Sequence, residues 1–397
     1  ITEDISSENN VGSNSGAVLD VDSPFTTTNL GDDASGRGNN WTAYNIAYTD
    51  VVTDSPTNNF NTINSLDYLV ADRGVTLTQG NLRIQGGSGN YNARSMFDRI
   101  PGSYYAEFYV EEADNNTQTG VFARFKLLDD TSFNYRYNAD NELKKDGTTV
   151  ATPGAFSDGD IIGVAASTVN NYVEFFKNGV SVYANTHTAA FKSVELVVRT
   201  DNTTTPKFIF NYGQDATFAG NVTGANGYSA SAGGEFKYQP PAGFKALKTS
   251  NLSEPILTPR NDSIENSFFY TTLYEGNGGG QRVGQFLPLN EVKTVNNAIR
   301  FEDGNSAHLS RTPGSAGNRD VNTTSFWVKR GNLGTTQRIF AAGTSFASNH
   351  DNSTIIEFHT DNTLRFQSES SASVVARLRT NKVFKDTSSW YHIVLTY

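Results

Sequence analysis

The sequence predicts an all-β protein with two β-sandwich domains in series after an irregular acidic leader. Three observations carry this. The 397 residues include 35 Gly and abound in Asn, Ser and Thr, the residues of turns and solvent-facing strand positions. Aromatics make up 12% (26 Phe, 18 Tyr and 3 Trp), too many for a disordered chain and well suited to pleated sheets. Short apolar or alternating runs recur at hairpin spacing, and residues 75–212 hold no 3.6-residue period long enough for a helix. The length exceeds one ordinary domain, so two or more are expected.

Composition excludes several classes. A coiled coil needs Ala, Glu, Lys and Leu in quantity, and a membrane helix needs roughly 20 consecutive apolar residues; neither is present. Cysteine is absent, which removes a disulfide framework, a thiol nucleophile and a cysteine-ligated metal. With Met96 the single methionine, little in the chain oxidises easily, as suits a particle or secreted protein. No basic-plus-apolar signal segment opens the chain, which begins at Ile1; the expectation is that its true start lies upstream. The net charge of -10 argues against nucleic-acid binding as the main task.

Along the chain, residues 1–36 form the leader. They hold Glu3, Asp4, Glu8, Asp20, Asp22, Asp32 and Asp33 and no Lys or Arg, and Ile1 to Gly16 reads as a linker. Asp22-Ser23-Pro24 recurs as Asp54-Ser55-Pro56; both copies read as turn starts, because Pro fixes its φ and Asp bonds backbone amides. Residues 37–247 form the first sandwich. Its strands are expected at Tyr104 to Glu111, Val121 to Phe125, Phe133 to Tyr137 and Ile161 to Ala166. Four more follow, at Tyr172 to Phe176, Val180 to Tyr183, Val194 to Arg199 and Lys207 to Tyr212. Asp146-Gly147, Asp158-Gly159 and Asn178-Gly179 separate them, and the last predicts a two-residue type I′ hairpin.

Pro240-Pro241-Ala242-Gly243 closes this run. Residues 248–290 read as a connector, with a strand at Phe268 to Tyr274 and a glycine loop at Gly276 to Gly280. Residues 291–397 form the second sandwich and carry a mild excess of Lys and Arg. Strands are expected at Ala298 to Phe301, Ala307 to Ser310, Thr324 to Lys329 and Arg338 to Ala342. The rest fall at Thr354 to His359, Thr363 to Gln367, Ser373 to Leu378 and Trp390 to Thr396. The last run reaches Tyr397 with no terminator after it, so this sandwich is expected to be incomplete.

No residue is assigned a catalytic, cofactor or metal role. A jelly-roll glycosidase would show Glu-x-Asp-x-x-Glu along one strand, and that pattern is absent. Glu111, Glu112, Asp114, Asp129 and Asp130 read as strand-end and turn carboxylates. His187, His308, His350, His359 and His392 form no metal or protease spacing, and His308 and His392 read as ordinary sheet residues. Gly276 to Gly280 lacks the ending of a phosphate loop, and Asn138 to Glu142 lacks the glycine of a calcium loop. Asn40-Trp41-Thr42, Asn115 with Thr117, and Asn322-Thr323-Thr324 are glycosylation sequons, expected by chance in a chain so rich in Asn and Thr. Trp41, Tyr44, Tyr135 and Tyr137 are candidate stacking aromatics; core packing is the favoured reading for each taken singly.

Four ordered segments resemble a SPRY domain. They are Pro101 to Val110, Asp158 to Ala165, the Val173 to Ser181 hairpin, and Phe208 to Gln214 followed by Pro240 to Leu247. The flanks Asp50 to Phe60 and Pro240 to Leu247, with the connector Thr271 to Gly284, resemble structural proteins of tailed bacteriophages, especially marine ones. The sequence departs from that pattern at Asn61 and at Asn64-Ser65-Leu66. Ser325 to Gly331 and Ser389 to Leu395 resemble strands of the concanavalin A-like, laminin-G-type jelly roll.

The resemblance implies a virion protein on the particle surface. The first expectation is a fibre or adhesin that attaches to a host-surface glycan or protein; the alternatives are an architectural capsid or tail decoration protein and, third, a polysaccharide-degrading enzyme. Expected partners are other virion proteins through the leader and further copies in a homotrimer, with no nucleic acid, membrane insertion or cofactor. The expectation is therefore that the protein is not an enzyme.

Overall fold

The computed structural model describes residues 29–67, 74–87, 91–97, 100–114, 117–200, 205–223, 228–229, 233–252, 295–314, 323–343, 352–371 and 373–396, with Ala17 and Leu19. The expected strand at Phe268 to Tyr274, the Gly276 to Gly280 loop and the first Asp-Ser-Pro copy lie outside them. So do most of the leader and the Asn115 and Asn322 sequons.

Two short strands come first, β1 (Thr42–Tyr44) and β2 (Val51–Val52). The first sandwich opens with β3 (Thr76–Thr78), β4 (Arg83–Gln85), β5 (Tyr91–Asn92) and β6 (Ser103–Glu112). It continues with β7 (Gly120–Leu127), β8 (Ser132–Asn138), β9 (Leu143–Lys145) and β10 (Thr148–Ala151). Then come β11 (Ile161–Ser167), β12 (Tyr172–Lys177), β13 (Val180–Thr186), β14 (Phe191–Thr200) and β15 (Lys207–Asn211). A small hairpin follows, β16 (Tyr228–Ser229) and β17 (Glu235–Phe236). The second part holds β18 (Ala298–Ile299), β19 (His308–Ser310), β20 (Thr323–Lys329) and β21 (Gln337–Gly343). It ends with β22 (Ser353–Phe358), β23 (Thr363–Ser370), β24 (Ser373–Val383) and β25 (Trp390–Thr396). Among the described residues, helix occurs only as three-residue 3-10 turns. The protein is all-β.

The first sandwich packs a seven-stranded sheet, β13-β12-β11-β6-β15-β4-β3, on a six-stranded one, β10-β9-β8-β7-β14-β5. Alternation explains the packing. On β6, Tyr104, Ala106, Phe108 and Val110 face the other sheet and meet Phe125, Tyr135, Leu196 and Phe210 in one core. Edge-to-face contacts such as Phe108 with Phe210, ring centres 5.2 Å apart, fill it. Each such side chain contributes about 1.5–3 kcal/mol by leaving water.

Asn178 and Gly179 turn β12 into β13 with φ of 53° and 78°, the pair of positive values a type I′ turn needs. A Cβ on Gly179 would lie 2.4 Å from the Tyr238 ring, so packing demands glycine there as well. Asp146-Gly147 does the same between β9 and β10, with φ of 45° and 89°. Asp158-Gly159 belongs instead to the crossing from β10 to β11, which lie in different sheets.

The seven-stranded sheet is covered on its second face too. Phe60, Phe236, Phe244 and Ala246 pack on Tyr105 and Ala165, and Phe218 packs on Ile161 and Ile209. That explains why every residue of β11 is buried.

The second sandwich pairs β20 with β25 and stacks them on β21-β22-β23-β24. Phe358, Phe384 and Ile393 form its core. Arg330 plugs one end of it. Its guanidinium lies 4.3 Å from the Phe358 ring centre and donates to Gln337 Oε1, Asn362 Oδ1 and the Phe384 carbonyl; burial pulls its pKa down to about 10.

Two of the strands expected in the second domain pair elsewhere. β19 pairs with β1, and β18 with β2. Both pairs satisfy the backbone of the segment leading into the first sandwich, so residues 42–52 and 298–310 form a seam between the two parts.

Candidate functional site

The outward face of the β20–β25 ribbon carries the site. Its register sets Ser325 opposite Val394, Trp327 opposite His392 and Lys329 opposite Trp390. Phe326, Val328, Tyr391 and Ile393 turn inward to the core, so alternation sends the other six outward. The Trp327 and His392 rings stack with centres 4.7 Å apart and planes 16° from parallel. Ser325 Oγ lies 3.0 Å from His392 Nε2, and burial lowers the His392 pKa, which keeps the ring neutral at pH 7.

One end of this strip is anchored. Asp54 accepts from Lys329 Nζ at 2.7 Å through Oδ2 and from Trp390 Nε1 at 3.1 Å through Oδ1. Lys329 Nζ also donates to Asn59 Oδ1 at 2.8 Å. The other end, with Ser325 and Val394, is exposed. A flat ring pair with a hydroxyl beside it, on a rigid sheet, can stack on an apolar ring face and hydrogen-bond its edge.

A second ring pair occupies the seam. Tyr44 stacks on His308 with centres 4.8 Å apart and planes 7° from parallel, and Tyr44 is 48% exposed. Trp41 lies under Arg311, 5.3 Å from the guanidinium to the ring centre. Tyr48 and Phe301, on the two segments that the seam joins, are also exposed.

Of the four candidate stacking aromatics, the structure thus brings Trp41 and Tyr44 to the seam. Tyr135 and Tyr137 follow the favoured reading of core packing: both are fully buried, because they sit at inward positions of β8. Their hydroxyls reach Asn185 Oδ1 at 2.8 Å and the Gly154 carbonyl at 2.5 Å. His308 and His392 do lie in strands, but each is half of an aromatic stack rather than an ordinary sheet residue. Trp327 was missed as a site residue. Alternation in Ser325-Phe326-Trp327-Val328-Lys329 puts it on one face with Ser325, but nothing local says which face is open.

The acidic groups are engaged in structure. Asp129 and Asp130 sit in the β7–β8 turn, and Glu111 and Glu112 end β6 paired with Arg83 and Lys207. Glu107 is fully buried, and its pKa is pushed up to about 7 by burial. A carboxyl tuned that way suits acid catalysis, but this one is sealed by four donors and reaches no solvent. Among the described residues, no three His, Asp or Glu side chains gather as a metal site.

Residues 303–397 match a laminin-G family described as the concanavalin A-like lectin/glucanases superfamily. The C-terminal part is a concanavalin A-like domain. No curated protein matches the chain. Similar solved structures include the SPRY domain of human HERC1, 18% identical over 34% of this chain and 91% of that one, with a TM-score of 0.27. A second is the carbohydrate-binding module CBM66 of Bacillus subtilis, 13% identical over 35% and 88%, TM-score 0.25. A third is a sialidase, 12% identical over 44% of this chain and 21% of that one, TM-score 0.28. The Trp327–His392 strip lies within the concanavalin A-like domain, on its β20–β25 ribbon.

Proposed function

We propose that the protein is an attachment protein, of the fibre or adhesin type on a phage virion, that binds host-surface glycan through its sandwich modules. The observation that carries the reading is the half-buried Trp327–His392 stack with exposed Ser325 beside it, on the outward face of a concanavalin A-like domain. The sequence resemblance of the flanks supports the virion setting, and the match of residues 303–397 to the concanavalin A-like lectin/glucanases superfamily supports a carbohydrate as the ligand. Glu107, the carboxyl with the most suitable pKa for an acid, is sealed, which counts against the enzyme reading.

The test is binding of purified protein to host-envelope polysaccharide. Trp327→Ala removes a half-buried ring and leaves Asp54 and Lys329 in place. It should weaken binding about threefold to tenfold, in a variant shown by its circular dichroism to keep the fold. Equal binding by the variant would overturn the site. On the particle, deletion of residues 95–397 should impair adsorption and spare assembly. Failure to assemble would favour the architectural decoration reading instead.

A further inference from the structure

The contact between the two sandwiches brings an amine, a carboxamide and a carboxylate together. Lys329 ends β20 in the concanavalin A-like domain, and Asp54 and Asn59 lie on the segment that leads from β2 toward β3. Lys329 Nζ donates to Asp54 Oδ2 at 2.7 Å, to Asn59 Oδ1 at 2.8 Å and to the Phe60 carbonyl at 3.2 Å. The Lys329 and Asp54 side chains are 10% and 11% exposed, so the contact is largely shielded from water.

Each partner is fixed from behind. Asp54 Oδ1 accepts from Trp390 Nε1 at 3.1 Å and from the Phe60 amide at 3.3 Å, which leaves Oδ2 to the amine. Asn59 Nδ2 donates to the Ser388 carbonyl at 2.6 Å, so the carboxamide is oriented with its oxygen toward Lys329. The carboxamide carbon lies one C=O bond, about 1.2 Å, from that oxygen. An ion pair needs Asp54 alone; Asn59 adds a carbon that an amine can attack. The three groups are those that amide exchange requires: a nucleophile, an electrophile and a base that moves protons, held in place by the fold. Asp386 also lies near Lys329, but its oxygens are taken by Ser388 and Ser389.

We propose that Lys329 and Asn59 join in an intramolecular isopeptide bond that fastens the two sandwiches covalently. Asp54 Oδ2 takes a proton from the Lys329 ammonium, because only the neutral amine is a nucleophile. Nζ attacks Asn59 Cγ, and the π pair of the C=O bond moves to Oδ1. Asp54 passes its proton to Nδ2, the Cγ–Nδ2 bond breaks, and the C=O bond forms again as ammonia leaves. Nζ then gives up a second proton, which travels through Asp54 to the ammonia. The products are a secondary amide and ammonium, and the Asp54 carboxylate is regenerated. Nothing is oxidised or reduced, and no co-reactant is needed. The new amide N–H keeps the donor role toward Asp54 that the ammonium had. Exclusion of water keeps hydrolysis from the same carbon. The bond is independent of what the Trp327 strip binds.

The test is the mass of the purified chain under denaturing conditions, followed by peptide mapping. The chain should be lighter by one ammonia than its sequence requires, and digestion should yield a branched peptide carrying residues 59 and 329. The map is needed because an Asn-Gly step such as Asn178-Gly179 can also lose ammonia. Lys329→Arg keeps the positive charge without the amine and should leave residues 59 and 329 on separate peptides. Asp54→Asn removes the base and should slow bond formation about a hundredfold or more, followed by mapping over time in freshly made protein. If either variant fails to fold, the map of the unaltered chain still decides. Separate peptides for residues 59 and 329 in the unaltered chain overturn the proposal. So does a branched peptide lighter by water instead of ammonia, which would place the bond at Asp54. Undiminished bond formation in folded Asp54→Asn overturns it as well.

Discussion

Glu107 concentrates the cost of burying charge on one side chain. Its Oε1 accepts from the Tyr238 amide at 2.8 Å and Tyr105 Oη at 3.2 Å. Its Oε2 accepts from the Lys237 amide at 2.8 Å and Asn211 Nδ2 at 3.3 Å. These donors favour the ionised form, but burial outweighs them and raises the pKa from 4.5 to about 7. Between those values the unfolded chain has lost its proton while the folded one keeps it. Stability from this group is therefore full below about pH 4.5 and falls as pH rises to about 7, by roughly 3 kcal/mol in all. Glu107→Gln should remove that slope. Denaturant unfolding of both proteins at several pH values checks it, and parallel curves would refute it. The sequence hid this group. In Tyr105-Ala106-Glu107-Phe108 the alternation marks Glu107 as facing away from the core, and so it does. What seals it is the segment at Lys237 and Tyr238, far along the chain.

Strands were legible where a run was long and its turn carried its own chemistry. β12 and β13 follow from two apolar runs around Asn178-Gly179, because those residues alone set the hairpin. β3, β4 and β5 were not legible. They span two or three residues each, and only pairing with β15 and β14 makes them strands. β24 shows the opposite case, a strand read from its sequence whose setting was not. It lies at the edge of its sheet, and Val374, Val375, Leu378 and Val383 along it are exposed. Behind it an apolar cavity of about 250 Å³ is lined by Ile356, Leu364, Phe366 and Leu378 among others. An apolar edge with unpaired backbone groups invites another strand. The purified chain should therefore self-associate with rising concentration, and Val375→Lys, at a position 68% exposed, should suppress this. Light scattering across a concentration series decides; equal masses for the two proteins would exclude β24 as the contact.

At the scale of the molecule, the seam makes two sandwiches into one body. Asp54 was read as the start of a turn, and Ser55 does close that turn on Asn58, 3.2 Å from N to O. The Asp54 carboxylate does more. It holds Lys329 and Trp390, both from the concanavalin A-like domain, and accepts from the Phe60 amide at 3.3 Å. Arg300 adds a second tie, 3.1 Å from Asp215, while Asn59 Nδ2 donates to the Ser388 carbonyl at 2.6 Å. Lys329 and Asp54 are both largely buried at their contact, so loss of the carboxylate takes the ion pair from a buried ammonium and leaves the Trp390 indole N–H without its acceptor. Removing one partner of such a pair costs about 3–5 kcal/mol. Intact protein should unfold in one transition, since neither sandwich can open without breaking the seam. Asp54→Ala should split it, with tryptophan emission, to which Trp327 and Trp390 contribute two of the three indoles, changing at the lower temperature. Two separated transitions in the intact protein, or a variant that superimposes on it, would show the sandwiches to be independent. A single transition would mean that the Trp327 strip and the exposed Tyr44–His308 pair of the seam are held at a fixed distance, so that two weak sites can act on one surface as a single stronger one.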